Sequence, residues 1–383
     1  MIRNLLLTLC TLALTMAAAA NAVEPIRIGT TQSLTGALAE FGTNQLQGLQ
    51  MWAGDVNGRG ELLGRPVEIV YYDDGSDEAR SAQLYRKLIE QDKVDLLVGP
   101  YSSNITIAAS QVAEEHGVPM VTLGASADKI WSQGYQNIVG LDVPSTRYMD
   151  IAVETAAAQG ARTLALVYGD NDFTRDVIPG VRSRASQLGL EVVLDAPARS
   201  MADIPDQVRR LAAANADVIM VIAYLDGAVD LVRSLKKAQV KPRMLVFGVA
   251  ASLAEFGQQL QGDAEGITGV TQWLRGVRLP GAQDFAYRYR KLYGYNPGAY
   301  AVLGYSGGQV VEAAVRLAGT TDHAAVRERL HSMTFSSLLG IYKVDADGRQ
   351  VGKNNYLLQW QGNDRRMVKP DRLAESKLIY PMP

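Results

Sequence analysis

Cysteine is nearly absent from this chain, and its one copy, Cys10, stands close to the N-terminus. A single thiol forms no intrachain disulfide and no thiolate metal cage. Histidine is almost as scarce: His116, His323 and His331 are the whole complement, and no two have the spacing of a ligand pair. Metal-assisted hydrolysis therefore lacks its usual donors, and no cofactor is expected. No sign of charge dominates either, with 38 Lys and Arg against 40 Asp and Glu and no basic run. Nucleic-acid binding needs such a run or stripe, so that class is excluded. Beyond residue 16 there is no long apolar stretch, which leaves no second candidate for a membrane span.

What the N-terminus does contain is an export signal. Arg3 supplies a positive start, residues 5–16 an apolar stretch too short for a span, and Ala20-Asn21-Ala22 a small-x-small cleavage site. Cleavage after Ala22 removes Cys10 and leaves a mature chain beginning at Val23. Lipid modification at Cys10 would need a longer apolar stretch ahead of it. The expected product is exported, soluble and free of cysteine. At about 360 residues it is long enough for two domains without disulfide staples.

Apolar runs of strand length then alternate with stretches of helical period. Strands are expected at 26–29, 67–72, 95–99, 119–123, 138–141, 164–168, 191–194, 218–223, 244–247 and 267–270. Helices are expected at 45–56, 78–91, 146–158, 177–188, 204–214 and 228–238. This rhythm predicts an α/β fold, with parallel sheets covered by helices on both faces. A weak internal repeat divides it into two Rossmann-like halves. Lys93-Val94-Asp95-Leu96-Leu97-Val98 resembles Asn215-Ala216-Asp217-Val218-Ile219-Met220, and a tyrosine follows each, Tyr101 or Tyr224. The natural boundary falls near Asp142-Val143-Pro144-Ser145. After Trp273 helices come in succession, at 282–292, 299–317 and 324–330, ahead of strand-like 338–344 and 356–361. A late helical run that completes an earlier sheet means that the chain crosses back. One lobe is then 23–143 with about 274–345, the other 144–273 with about 346–383, and a multi-strand hinge joins them.

Two of the buried-looking strands end in small hydroxyl residues. One runs into Tyr101-Ser102-Ser103-Asn104, the other into Gly124-Ala125-Ser126. Helix-like sequence follows both, at 105–115 and, more briefly, at 127–131. Backbone N–H groups and hydroxyls therefore gather where helix N-termini meet the carboxyl ends of strands. Open α/β sheets bind ligands there, and the local field favours a small anion such as a carboxylate. Ser103 and Ser126 also suit plain helix caps, and the two duties are compatible. No base accompanies these hydroxyls, so they are set to hold a ligand and not to transform it.

Two other patterns point to different chemistry. Asp73, Asp74, Asp77 and Glu78 are acidic enough for a cation, but their spacing fits no calcium loop. A strand end followed by a helix cap from Ser76 or Asp77 is the expected arrangement. Gly304-Tyr305-Ser306-Gly307-Gly308 matches the nucleophile elbow of serine esterases, and Asp322, His323 and His331 follow it. The elbow needs a buried strand before its serine. Here 297–303 is alanine-rich and continues at helical spacing into 310–317, so the small residues are expected to let a helix pack closely on the sheet. No catalytic residue is assigned, and a non-enzyme is expected.

An ordered set of motifs then carries a family resemblance across the whole mature chain. It runs from Ile26-Arg27-Ile28-Gly29 and Ser33-Leu34-Thr35-Gly36 to Phe41-Gly42 and Val56-Asn57-Gly58-Arg59-Gly60. Tyr72-Asp73-Asp74, Gly99-Pro100-Tyr101-Ser102-Ser103 and Gly117-Val118-Pro119 follow. Tyr289-Arg290-Lys291-Leu292-Tyr293-Gly294, the stretch 301–308, Gly340-Ile341-Tyr342 and Asp347-Gly348 close it. The chain resembles the periplasmic substrate-binding proteins of ABC importers, of the leucine/isoleucine/valine-binding type. The resemblance implies a monomeric periplasmic receptor whose two lobes close on a small molecule and then dock to a membrane permease. It implies Ser103 and Ser126, with Ser102 and Ala125 beside them, as the grip on a ligand carboxylate, and Gly124 as a backbone contact. Phe41 and Phe173 match wall positions, and Tyr224 a tyrosine of the second lobe. One correspondence fails. Amino-acid-binding members hold the ammonium with a glutamate after the strand at 244–247, where this chain has Gly248-Val249-Ala250-Ala251. Either Asp226 or Asp170 serves instead, or the ligand is not an α-amino acid, because an unpaired buried ammonium is costly. A receptor that reports occupancy to a signalling partner is the alternative use of the same fold.

Overall fold

The computed structural model describes residues 23–198 and 203–383, so the expected export signal lies outside the described residues. Five strands form the first sheet: β1 (Ile26–Gln32), β2 (Val67–Asp73), β3 (Leu96–Val98), β4 (Met120–Thr122) and β5 (Ile138–Gly140). Their order is β2-β1-β3-β4-β5 and every pairing is parallel. Helices α1 (Ala39–Gly58), α2 (Glu78–Glu90) and α3 (Ser103–Glu115) make the crossovers. β3 and β4 are buried at every position, as parallel strands covered on both faces must be. The chain leaves β1 first for β2 and then for β3 on the other side. That change of direction is the switch point at which such sheets take ligands.

The second sheet begins after a 3-10 turn at Ser145–Arg147 and α4 (Asp150–Ala158). It contains β6 (Thr163–Gly169), β7 (Glu191–Ala198), β8 (Val218–Ile222), β9 (Met244–Phe247) and β10 (Thr268–Thr271). Interleaved with them are α5 (Asp172–Gln187), α6 (Ile204–Ala214), α7 (Leu225–Lys237) and α8 (Ala254–Leu260). Three helices follow, α9 (Ala282–Tyr293), α10 (Ala299–Ala318) and α11 (His323–Ser332), then a hairpin of β11 (Phe335–Ser337) and β12 (Gly340–Tyr342). β13 (Tyr356–Gln361) and β14 (Asp364–Lys369) return to the second sheet, whose order is β14-β13-β10-β9-β8-β6-β7.

Every strand expected between 26 and 270 is present. Three expectations need correction. The sheets are not wholly parallel, because β13 pairs antiparallel with both β10 and β14. β14, Asp-Arg-Arg-Met-Val-Lys, is an edge strand whose charges conceal its period. The single strand expected at 338–344 is instead a tight hairpin. Helix starts also move: α1 begins at Ala39, which puts Phe41 in its first turn, and α5 begins at Asp172, where Asn171 and Thr174 form a capping box.

α10 packs chiefly on α1 and not on the sheet. A Cβ at Gly304 would overlap the Gln45 carbonyl, and one at Gly308 would overlap the Trp52 ring; only Gly307 faces a strand end, at Leu123. Gly304→Ala is therefore expected to cost about 1–3 kcal/mol through overpacking. Gly54 lies in the same helix pair with open space around it, so Gly54→Ala should instead gain about 0.5–1 kcal/mol. Urea unfolding of the two variants checks both signs.

Candidate functional site

The two hydroxyl-ended strands deliver their turns to one small cavity of about 30 Å³. Tyr101, Ser102, Ser103, Gly124, Ser126 and Asp142 line it from the first sheet's side. Phe173, Tyr224 and Val249 face them from the second sheet, with Tyr148, Gln272 and Tyr300 around the edge. The cavity thus lies between the carboxyl ends of both sheets, where the sequence places it.

The serines divide the work differently from the expected capping. Ser102, at φ +75°, is the cap of α3: its hydroxyl accepts from Ile105 N–H at 3.4 Å. Ser103 is the first helical residue, and its hydroxyl accepts from Ser126 N–H at 3.3 Å and Ala127 N–H at 3.2 Å. It ties one turn to the other. Ser126 caps nothing; its hydroxyl accepts from Ser145 Oγ at 3.1 Å and keeps its own proton to donate. Gly124 has φ +71°, and a Cβ there would stand 2.5 Å from the Tyr101 ring, so the turn needs glycine.

Asp142 reaches the same turn from behind. Its carboxylate accepts the Gly124 N–H at 2.7 Å and the Gln272 amide N–H, while Lys353 Nζ donates to Gln272 Oε1 at 2.9 Å. The Gly124 N–H is thus already engaged by the chain's own carboxylate. Asp142, Gln272 and Lys353 sit on three different segments, after β5, after β10 and before β13, at which the chain passes between the layers of the two sheets. Burial pushes the Asp142 carboxyl up against the opposing pull of Lys353. Burial likewise pulls the Lys353 ammonium down to about 7, and the Asp142 charge only partly offsets this. Desolvation outweighs mutual attraction in both groups. The sequence pattern offered Asp142 only as part of a lobe boundary, because a lone acid in a loop gives no sign of its partners.

Aromatic rings close the other side. Phe41 stacks on Tyr101 at 4.5 Å and 11°, and meets Tyr300 and Tyr224 edge-on at 4.8 and 5.8 Å. Phe41 itself does not line the cavity; it backs the Tyr101 ring that does. Ala125 is likewise buried beside the cavity and does not line it. Phe173 lines it and rests edge-on against Tyr148 at 5.1 Å. Of the acids expected to replace the missing glutamate, Asp170 stands away from the serines and pairs with Arg175 at 3.0 Å. Asp226 lies in α7, and its side chain is outside the described residues. Tyr101, Tyr148, Tyr300 and Gln272 escaped the sequence reading; only Tyr101, next to the serines, carried a signal.

Beyond Tyr300 a second cavity of about 460 Å³ is lined by Glu40, Glu255 and Arg365, among others. Burial pushes Glu40 up to about 7, the Glu255 charge adds to this, and Arg365 opposes it. Its ordinary value is 4.5, so between these limits the folded form holds a proton that the unfolded form has lost. Stability is then expected to rise as pH falls from about 7 toward 4.5. Because Glu40 is only half-buried the gain is modest. Glu40→Gln should flatten that part of a stability–pH curve.

The other patterns resolve into structure. Asp77 caps α2, accepting Arg80 N–H at 2.7 Å, while Asp74 accepts from Thr31 and Ser33 hydroxyls at 2.9 and 2.7 Å. Among the described residues no group of three or more His, Cys, Asp or Glu is placed to hold a metal. Ser306 lies in the middle of α10, fully buried, with no hydrogen-bond partner among the described residues, and His331 is committed to the Gln136 carbonyl at 3.0 Å. A nucleophile needs a base within reach, and Ser306 has none among the described residues.

Known proteins share this fold. A Leu/Ile/Val-binding protein homologue of Brucella abortus is 26% identical over 392 aligned positions, covering 95% of this chain and 96% of the relative. The branched-chain amino acid substrate-binding protein LivJ of Streptococcus pneumoniae, solved with isoleucine, superposes with a TM-score of 0.80 at 23% identity, covering 94% and 100% of the two chains. A solute-binding protein of an ABC transporter from R. palustris, solved with benzoate, does so at 0.80 and 20% identity, covering 94% and 97%. The family description of periplasmic binding proteins matches residues 25–365. With that span matched, and with two Rossmann-like halves joined by three crossing segments, the chain belongs to the periplasmic binding protein family.

Proposed function

We propose that this protein is the extracytoplasmic solute receptor of an ABC importer. It binds a small carboxylate, an amino acid or a deaminated or amide relative of one, and presents it to a membrane permease. It works as a monomer in the periplasm after loss of residues 1–22 and has no catalytic role. The lobes are 23–143 with about 274–345 and 144–273 with about 346–383, and they close about the three crossing segments as a hinge. The observation that carries this reading is the meeting of Ser103 and Ser126 with Phe173 and Tyr224 around one cavity. Hydroxyls from one sheet thus face rings from the other. Closure around a ligand brings a polar grip and an apolar cover together, which a binding protein needs and an enzyme without a base does not exploit.

Among the described residues Asp142 is the acid that lines this cavity, and Asp226 of α7 stays the other candidate for a ligand ammonium. A thermal-shift screen that pairs amino acids with their deaminated acids tests the reading, because whatever binds only the folded form raises its melting temperature. Shifts from both members of a pair mean that the carboxylate suffices. Shifts from the amino acid alone mean that the ammonium is read, and loss of them in Asp142→Asn, but not in Asp226→Asn, assigns that reading to Asp142. No shift from any carboxylate contradicts the assignment.

A further inference from the structure

The hydroxyls of the serine cavity leave the charge of a carboxylate uncompensated. Ser103 and Ser126 each keep a proton to donate, but both are neutral. The N-terminus of α3 adds only a partial positive charge. Among the described residues no lysine or arginine lines the cavity, and the ionic group that does is an acid, Asp142. In a space of about 30 Å³ a ligand carboxylate lies within a few ångström of that acid. Like charges so close oppose each other unless a proton or a cation intervenes.

The nearest cation stands one side chain further back. Lys353 Nζ donates to Gln272 Oε1 at 2.9 Å, and Gln272, which lines the cavity, donates its amide N–H to Asp142. Asp142 is buried and Lys353 partly so. Burial holds the Asp142 carboxyl up and brings the Lys353 ammonium down to about 7, so the pair is not firmly ionised at neutral pH. The other titratable groups that face Asp142 are Tyr148, just before α4, and Tyr300 of α10. Burial keeps both phenols, and those of Tyr101 and Tyr224 across the cavity, above their ordinary value and therefore neutral. A second anion in the cavity favours the protonated form of Asp142 and the ammonium form of Lys353 alike. Both effects have one sign, so the proton is counted for the pair and not for either residue alone.

We propose that Asp142, Gln272 and Lys353 together decide which charge the serine site accepts: a carboxylate without an ammonium enters with a proton taken from solvent, whereas an α-amino acid brings its own positive charge and needs none. The proton goes onto the Asp142–Lys353 pair, and Gln272 carries its effect to the cavity wall. By linkage the affinity for such an acid rises as pH falls. The uptake is largest above about pH 7, where the free protein lacks the proton, and fades below it, where Lys353 already holds one. This inference rests on the carboxylate reading of Ser103 and Ser126, and its test separates the two.

The probes are two pairs, leucine with 4-methylpentanoate and phenylalanine with 3-phenylpropanoate. Each is titrated into the full mature chain by calorimetry at pH 6.5 and pH 7.5, in PIPES and in imidazole, whose different heats of ionisation count the protons exchanged. The acids should take up more than about half a proton at pH 7.5 and bind about threefold tighter at pH 6.5. The amino acids should take up none and bind alike at both pH values. Asp142→Asn/Lys353→Met removes both titrating groups, so in that variant the acids should bind without proton uptake and without pH dependence. If the variant does not fold, the acid and amino-acid comparison in the parent chain decides alone. Acids that bind without proton uptake, amino acids that take up as much as the acids, or uptake that survives in the double variant overturn the proposal. Amino acids that bind while the acids fail even at pH 6.5 overturn it too and leave the carboxylate grip standing. Failure of all four probes refutes the grip, and the proposal falls with it.

Discussion

Asp142→Ala is expected to lower the unfolding free energy by about 3–5 kcal/mol at pH 6, the usual cost of stripping one partner from a buried ionic network. Asp142 receives the Gly124 N–H and the Gln272 amide, and Lys353 approaches through Gln272. Alanine leaves these donors facing a void, and the Lys353 ammonium without its counter-charge. The loss should shrink as pH rises to about 7 and beyond, because without the Asp142 charge burial pulls the Lys353 ammonium lower still and it sheds its proton instead of remaining charged and unpaired. Burial destabilises both ions, so removing them together should be milder than removing one. Asp142→Ala/Lys353→Met is therefore expected to be more stable than Asp142→Ala alone. Guanidinium unfolding at pH 6 and pH 9 measures all of this. A single variant within about 1 kcal/mol of the parent at pH 6 would show that the network does not hold the crossing segments together.

Ser103→Ala with Ser126→Ala is expected to abolish the ligand-induced thermal shift. At a ligand concentration one hundred times the dissociation constant, binding stabilises the parent by about 2.7 kcal/mol, and the double variant should show none of it. The two serines contribute unequally to the fold itself. Ser103 Oγ accepts two backbone N–H groups, so its loss strands buried donors at a cost of about 1–3 kcal/mol even without ligand. Ser126 Oγ receives only the Ser145 hydroxyl, so Ser126→Ala should be nearly neutral to the fold and still weaken binding. Shifts must be read against each variant's own unliganded melt. Ser126→Thr keeps the hydroxyl and should restore binding.

The α/β architecture was legible because buried parallel strands are continuous apolar runs. Leu96–Val98 and Met120–Thr122 cannot be disguised, since helices cover both faces. β14 was not legible, because an edge strand pairs on one side, and Asp364, Arg365 and Arg366 there interrupt the apolar run that marks a buried strand. The same logic divides the site. Ser102, Ser103, Gly124 and Ser126 follow directly from strand ends, and local sequence is enough to find them. Phe41, a wall position by family resemblance, stands one layer behind the cavity, because the Tyr101 ring on which it stacks comes between. Asp142, Gln272 and Tyr300 come from segments far apart in sequence, and only the folded chain brings them together. Gly304 and Gly308 do allow close packing, but against α1 and not the sheet, because spacing within one helix does not name its partner.

A carboxylate held in the cavity between the two sheets is what makes this protein a receptor for small acids. Calorimetric titration of the mature chain with 3-phenylpropanoate and with its methyl ester isolates the contribution of that anion. The two share the apolar body and differ in the anion. Saturable binding of the acid with a loss of at least about a hundredfold for the ester is the predicted result, because charge-assisted bonds from Ser103 and Ser126 vanish with the charge. Equal affinity for acid and ester would contradict it.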